Sequence, residues 1–306
     1  MSQLSDKFAA GKFVISAEIT PPKGVGVKKM IAHAESIGPY VDAINITDCQ
    51  RALVKMSSLA ACKVLLDHGF EPVFQLTCRD RNQIALQSDL MGAAALGIQN
   101  LLCLTGDPVK VGDHPKSKGV FEMESVGLLH LVSKLQQRED FAGNKMNKAT
   151  DFFVGAVVNP TLRSASQFTR MEKKIAAGAR FFQTQASYDL DDFAGFMQKA
   201  MPLGAKLLAG ILILDSFRML DYIDKNLPGV QVPAAVLQRF ADSKDATQAG
   251  IDFAVETMLK VKPFVHGFHL MSVREEHLIP AVVKAYRNRI GNEKDAAIQR
   301  PLTAES

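Results

Sequence analysis

Eight short apolar runs recur along the chain, and most end in a polar residue where a strand would give way to a loop. They are Phe13–Thr20, Ala43–Asp48, Glu71–Cys78, Asn100–Asp107, Phe152–Asn159, Phe181–Ser187, Leu207–Leu214 and Gly267–Ser272. Stretches with helical apolar spacing lie between them, such as Met56–His68, Asn82–Leu96, Phe168–Ala179 and Ser216–Asn226. Eight strands alternating with helices predict an α/β protein, a closed (β/α)8 TIM barrel, which builds its chemistry at the C-terminal strand ends. An open doubly wound sheet uses the same alternation. Eight units in 306 residues fit the barrel's usual length better.

Spacing agrees with that count. Glu18, Thr47, Thr77 and Gly106 follow one another at about thirty residues, enough for one strand, one helix and two loops. Two intervals are longer. Asp107 to Asn159 leaves room for an extended loop over Pro108–Val120, and Leu214 to Met271 for extra helices over Pro233–Phe240 and Thr247–Val261. With 47% hydrophobic residues the chain can bury a large core, and no repeat or composition break divides it. The expected layout is one barrel over residues 1–290, with extra helices before the last strand, and a polar tail over 291–306.

Residues 1–12 lack a signal-peptide core and no run approaches membrane-spanning length, so a cytoplasmic protein without a membrane span is expected. A net charge of +4, no tryptophan and no clustered arginines argue against nucleic-acid binding. Cys49, Cys62, Cys78 and Cys103 form no CxxC pair, and buried reduced thiols are expected rather than a metal site. No phosphate-loop motif is present, and His266 and His269, bracketing the last strand start, are read as structural.

Strand side chains alternate, so Ser16, Glu18 and Thr20 share a polar face that a barrel turns to its lumen. Glu18 is then a carboxylate inside an apolar strand, where burial disfavours the charged form and suits it to general acid work. The same alternation sends inward Asn45 and Thr47, Gln75 and Thr77, Cys103 with Thr105 and Asp107, and Gln183 with Gln185. Amides and hydroxyls in place of branched apolar filling must be satisfied by one another or by a ligand, and together they suit a polar, planar heterocycle. In Thr105-Gly106-Asp107-Pro108 the glycine permits close backbone approach and the proline stops the strand, which holds Asp107 at the rim. From this segment alone, Asp107 serves equally as a turn cap or a functional carboxylate.

These residues carry a resemblance. The matching pieces are Ser16-Ala17-Glu18-Ile19-Thr20-Pro21-Pro22, Gln75-Leu76-Thr77-Cys78, Leu104-Thr105-Gly106-Asp107, Ala177-Gly178-Ala179 leading to Gln183-Thr184-Gln185, Gly210-Ile211-Leu212 with Phe217, and Gly267-Phe268-His269. In that order, on successive strands over about Phe13 to Ile290, the chain resembles the methylenetetrahydrofolate reductase family, flavoproteins on a (β/α)8 barrel. The resemblance implies reduction of 5,10-methylenetetrahydrofolate to 5-methyltetrahydrofolate by hydride from reduced FAD, an oxidoreductase of one-carbon metabolism. It implies Glu18 as general acid and Asp107 as the carboxylate beside flavin and folate. Thr47, Gln75, Thr105, Gly106, Asp107, Phe121 and Lys174 fall at cofactor positions. Gln185 and Phe217 match substrate contacts, and Arg274 stands one position from the family's substrate arginine.

Departures cluster around the flavin: Gln75 where many members have His, Thr105 where many have Arg, Asp48-Cys49 for Tyr-Gly, and Val158-Asn159-Pro160 for a segment richer in Tyr and His. They point to weak oxidation of NAD(P)H by the isolated chain and to a partner redox subunit as the other candidate donor, in a hetero- or homo-oligomer. The alternative function is a folate- or flavin-binding subunit of a larger redox or methyl-transfer complex, without independent turnover.

Overall fold

The computed structural model describes residues 2–160, 165–226, 232–272 and 276–298. Eight strands, β1 (Val14–Ile19), β2 (Ala43–Ile46), β3 (Pro72–Thr77), β4 (Asn100–Leu104), β5 (Phe153–Val158), β6 (Phe181–Thr184), β7 (Lys206–Ile213) and β8 (Gly267–Ser272), pair in parallel with their sequence neighbours. β8 closes on β1, Ser16 standing opposite His269, so the sheet is a barrel and the doubly wound alternative is excluded. Around it lie α1 (Gln3–Ala9), α2 (Lys28–Ile37), α3 (Ser58–Asp67), α4 (Gln83–Ala95), α5 (Ser125–Gln136) and α6 (Ala165–Ala176). They are followed by α7 (Leu190–Ala200), α8 (Phe217–Asn226), α9 (Ala234–Ala241), α10 (Ala246–Val261) and α11 (Ile279–Ile298). The two extra helices expected before the last strand are α9 and α10. The last helix runs past residue 290, where the sequence reading began its polar tail.

The alternation of each strand decides its packing. Ile15, Ala17 and Ile19 join Ile44, Ile46, Phe74 and Leu76 in the cluster between sheet and helices. A second cluster, Val14, Ala43, Val73, Leu102, Phe181 and Leu208, fills the lower lumen. Gly155 makes room there, because a Cβ on it would lie 2.2 Å from the Phe181 ring, which stacks on Phe153 at 5.1 Å.

The lumen is sealed from below by α1, which the sequence reading did not anticipate. Leu4 and Phe8, one helical turn apart, insert into the inner cluster. Ser2 caps the helix by accepting from the Ser5 N–H at 3.0 Å. Glu71 accepts the Leu4 N–H at 3.2 Å, and Lys7 pairs with Asp42 at 2.5 Å, pinning the plug to the strand starts. With one end closed, a ligand can reach the lumen only from the C-terminal mouth. Among the described residues no helix is long and apolar enough to cross a membrane.

One inward assignment is corrected. Cys103 faces the helices, packed in the outer cluster, while Leu102 stands level with Gln75 and points inward. The strand ends at Leu104 and Gly106 takes φ +94°, so the parity of Thr105 and Asp107 cannot be carried back across it.

Candidate active site

Above the apolar floor the lumen turns polar, and its side chains join in one chain of contacts. Gln183 on β6 donates to Asn45 Oδ1 on β2 at 3.1 Å. Asn45 Nδ2 lies 3.4 Å and Ser16 Oγ 3.0 Å from His269 Nδ1 on β8. His269 Nε2 faces Glu18 Oε2 at 3.8 Å. Gln75 donates to Glu18 Oε2 at 3.4 Å, and Gln50, from the loop after β2, donates to Oε1 at 3.2 Å. Glu18 is 11% exposed, and among the described residues no lysine or arginine pairs with it. Two amides hold it by hydrogen bonds, with the His269 imidazole 3.8 Å away.

Glu18, Asn45, Gln75 and Gln183, expected to face inward from strand alternation, do meet in the lumen. His269, expected to be structural, joins them. Alternation with the outward Phe268 and Leu270 marks His269 as inward, but its contact with Ser16 spans 253 residues and exists only because β8 closes on β1.

At the rim, the Thr47 hydroxyl is buried with no hydrogen-bond partner, and so is Arg79 Nη1 after β3. Gly106 packs against that turn; a Cβ on it would lie 2.9 Å from Arg79 Cβ and 3.1 Å from Thr77 Cβ, so the close approach demands glycine. Asp107 is exposed and accepts the Arg51 N–H at 2.8 Å. The residues Cys49, Arg51 and Ala52 all have positive φ, so the loop after β2 is coiled tightly over the mouth. That one loop touches both carboxylates, Glu18 through Gln50 and Asp107 through Arg51.

The other expected cofactor positions sit nearby with local duties. Thr105 Oγ1 accepts the Ser125 N–H at 3.1 Å and thereby caps α5. Phe121 is half-exposed at φ +41°. Gln185 and Phe217 are exposed beyond the ends of β6 and β7. Arg274 lies outside the described residues.

Lys174, on α6, donates to the Val157 carbonyl at 2.8 Å. Burial, with Arg170 beside it, lowers its pKa to about 8. Below that value folded and unfolded chains both hold the proton, and the cost of burying the charge is fully present. Between about 8 and the ordinary 10.5 the folded chain loses it first, so this group makes stability rise with pH. Urea unfolding on either side of pH 8 should show wild type gaining more than Lys174→Met. Equal gains would mean Lys174 is not desolvated.

The cysteines are all free thiols. Burial pushes Cys62 and Cys103 well above the usual thiol range and Cys78 up to about 12, which makes all three packing groups rather than nucleophiles.

Comparison with known proteins gives this geometry a context. The family model described as methylenetetrahydrofolate reductase matches residues 3–287. Methylenetetrahydrofolate reductase 2 of Schizosaccharomyces pombe is 24% identical over 310 residues, covering 92% of this chain and 46% of that protein. Methylenetetrahydrofolate reductase (NADH) 1 of Arabidopsis thaliana is 26% identical over 212 residues, covering 64% of this chain and 34% of that protein. The chain thus spans about half, or less, of the length of these curated relatives. Among solved structures, an uncharacterized protein from Clostridium thermocellum that binds two copies of 5-methyl-5,6,7,8-tetrahydrofolic acid matches with a TM-score of 0.66. It is 14% identical, over 94% of this chain and 98% of that one, a likeness of fold.

Proposed function

The chain belongs to the methylenetetrahydrofolate reductase family, and on that footing we propose that it reduces 5,10-methylenetetrahydrofolate to 5-methyltetrahydrofolate, with FAD held at the barrel mouth. The observation that carries this reading is Glu18, a carboxylate in a polar lumen held by Gln75 and Gln50, with His269 3.8 Å away, and with no lysine or arginine among the described residues paired to it. A merely structural carboxylate in a barrel core would be expected to have a lysine or arginine partner.

The rim fits a flavin. The Thr47 hydroxyl and Arg79 Nη1, both buried and unpartnered, retain hydrogen-bonding capacity that a polar ring edge or a phosphate would use. Thr47, Gln75, Gly106 and Phe121 would hold it, with Thr105, Asp107 and Lys174 alongside. When bound, the flavin supplies the hydride.

The rest of the chemistry falls to the protein. Glu18, protonated, gives its proton to the folate nitrogen that leaves as the five-membered ring opens, and a cationic iminium results on the substrate. Asp107 places a negative charge at the rim, where it stabilises that cation. Gln185 and Phe217 flank the same mouth and would orient the folate. The α1 plug excludes water from below.

The test is anaerobic. The purified chain is expected to show flavin absorbance, or to acquire it on titration with FAD. NADH or NADPH should bleach that band weakly, reduced viologen strongly, and added methylenetetrahydrofolate should then restore it with formation of 5-methyltetrahydrofolate. Absence of any flavin binding overturns the reading. Binding of flavin and folate without turnover from any donor would favour the alternative, a binding subunit. Rapid bleaching by either nucleotide would remove the reason for invoking a redox partner.

A further inference from the structure

We propose that His269 is a positioning residue for Glu18, its imidazole fixed by Ser16, Asn45 and Gln183 so that Nε2–H meets the carboxylate left when Glu18 gives up its proton. The proposal deepens the reductase reading and rests on it for its kinetic consequence. Its geometric core stands on the contacts alone.

The tautomer follows from the amide chain. Asn45 Oδ1 is taken up by the Gln183 amide, so Asn45 turns its N–H2 to His269 Nδ1. Ser16 Oγ lies 3.0 Å from the same nitrogen and 3.5 Å from the Phe268 carbonyl and can donate to either, so Asn45 decides the tautomer. Nδ1 therefore accepts, and the single N–H of a neutral ring is on Nε2. That nitrogen faces Glu18 Oε2 at 3.8 Å. Catalytic hydrogen bonds are commonly long before substrate is bound, and a small rotation of Glu18, once Gln50 lets go, closes this one.

Among the described residues, the inward strand faces around the pair carry no further charge. On the strands beside it, Ser16 and Gly210 are the register partners of His269, and neither is ionisable. Asn45, Gln75 and Gln183 face inward from β2, β3 and β6, and Leu104 and Val157 from β4 and β5, all uncharged. Above the apolar floor, Glu18 and His269 are the ionisable side chains on the inward strand faces. Among the described residues, the charges at the mouth include Asp107 and Arg51, whose guanidinium lies 3.4 Å from Tyr222 Oη, and the Asp48, Arg79 and Arg81 side chains after β2 and β3. Among the described residues, a carboxylate forming in this lumen would otherwise meet the amides of Gln50 and Gln75, and a fixed N–H aimed at developing charge needs no reorganisation during the reaction.

Two substitutions separate positioning from packing. His269→Leu keeps bulk and removes the donor; His269→Gln keeps an N–H donor of similar reach and cannot titrate. In His269→Leu the folate half-reaction of pre-reduced enzyme is expected to slow by about 10-fold or more, toward the 10²-fold seen on losing a preorganised donor. His269→Gln should restore most of the rate. Flavin reduction by viologen should be unchanged in both.

The readout independent of activity is ¹⁵N NMR of labelled histidine. The His269 ring is expected as the Nε2–H tautomer, with its Nε2 resonance moving in Glu18→Gln. A Nδ1–H tautomer, or a resonance indifferent to Glu18, overturns the proposal whether or not the enzyme turns over. A wild-type rate in His269→Leu overturns it while leaving the reductase reading intact. Failure of wild type to reduce folate, with the tautomer as expected, strikes the reductase reading and with it the catalytic consequence, but not the contact.

Discussion

Glu18→Gln is expected to slow reduction of methylenetetrahydrofolate by about 10²–10⁴-fold, the usual cost of losing a general acid. Flavin binding and flavin reduction should survive. The glutamine keeps the shape of the side chain and one oxygen to accept from Gln50 or Gln75, which hold the carboxylate at 3.2 and 3.4 Å. It cannot deliver a proton. Among the described residues the lumen provides no substitute acid, since Asn45, Gln75 and Gln183 are amides and His269 Nε2 is 3.8 Å behind Glu18. Stopped-flow oxidation of viologen-reduced protein by folate isolates the affected step. If the variant reoxidises at the wild-type rate, Glu18 is structural and the proposed division of roles falls. A parallel loss of flavin binding would instead place Glu18 in the cofactor site.

Several elements were legible because burial on both faces writes each barrel strand as a dense apolar run. All eight runs contain the observed strands or overlap them closely. Alternation then gave the inward set on β1, β2, β3 and β6, from residues local to each strand. It failed at Cys103, where a run read through to Asp107 crosses Gly106, whose positive φ breaks the period of two. It gave no hint of α1, a seven-residue helix whose two buried side chains, Leu4 and Phe8, make too short a pattern to recognise. His269 was visible as inward by parity, but its meaning depends on Ser16, 253 residues away, and on the closure of the sheet. The loop after β2 was illegible for a related reason. Its path is set by contacts to Glu18, Asp107 and Tyr222, none of them near in sequence.

Asp48→Leu is expected to destabilise the fold by about 3–5 kcal/mol, the range for breaking a buried ion pair by removing one partner. Asp48 follows β2 and its side chain is 2% exposed. Its Oδ2 accepts the Thr77 N–H and the Thr77 hydroxyl, each at 2.9 Å, and Arg81 Nη1 at 2.7 Å, while Oδ1 accepts Arg81 Nη2 at 3.3 Å. Leucine there leaves a partly buried guanidinium with Asp89 as its remaining carboxylate partner, at 2.7 Å, and strips the end of β3 of its acceptor. Replacing both charges with apolar side chains is commonly much less costly than breaking the pair, so Asp48→Leu combined with Arg81→Leu should recover part of the loss. Full recovery is not expected, because the Thr77 N–H stays unsatisfied at about 1–3 kcal/mol. Urea unfolding measures all three proteins. A single variant with the wild-type midpoint, or a double variant less stable than the single, would show that the pair does not hold the rim. The same network links stability to the site, since Thr77 lies two residues after Gln75 on β3 and packs beside Gly106. The surviving folded fraction of Asp48→Leu should therefore bind flavin more weakly than wild type, and a normal affinity would confine Asp48 to a role in stability.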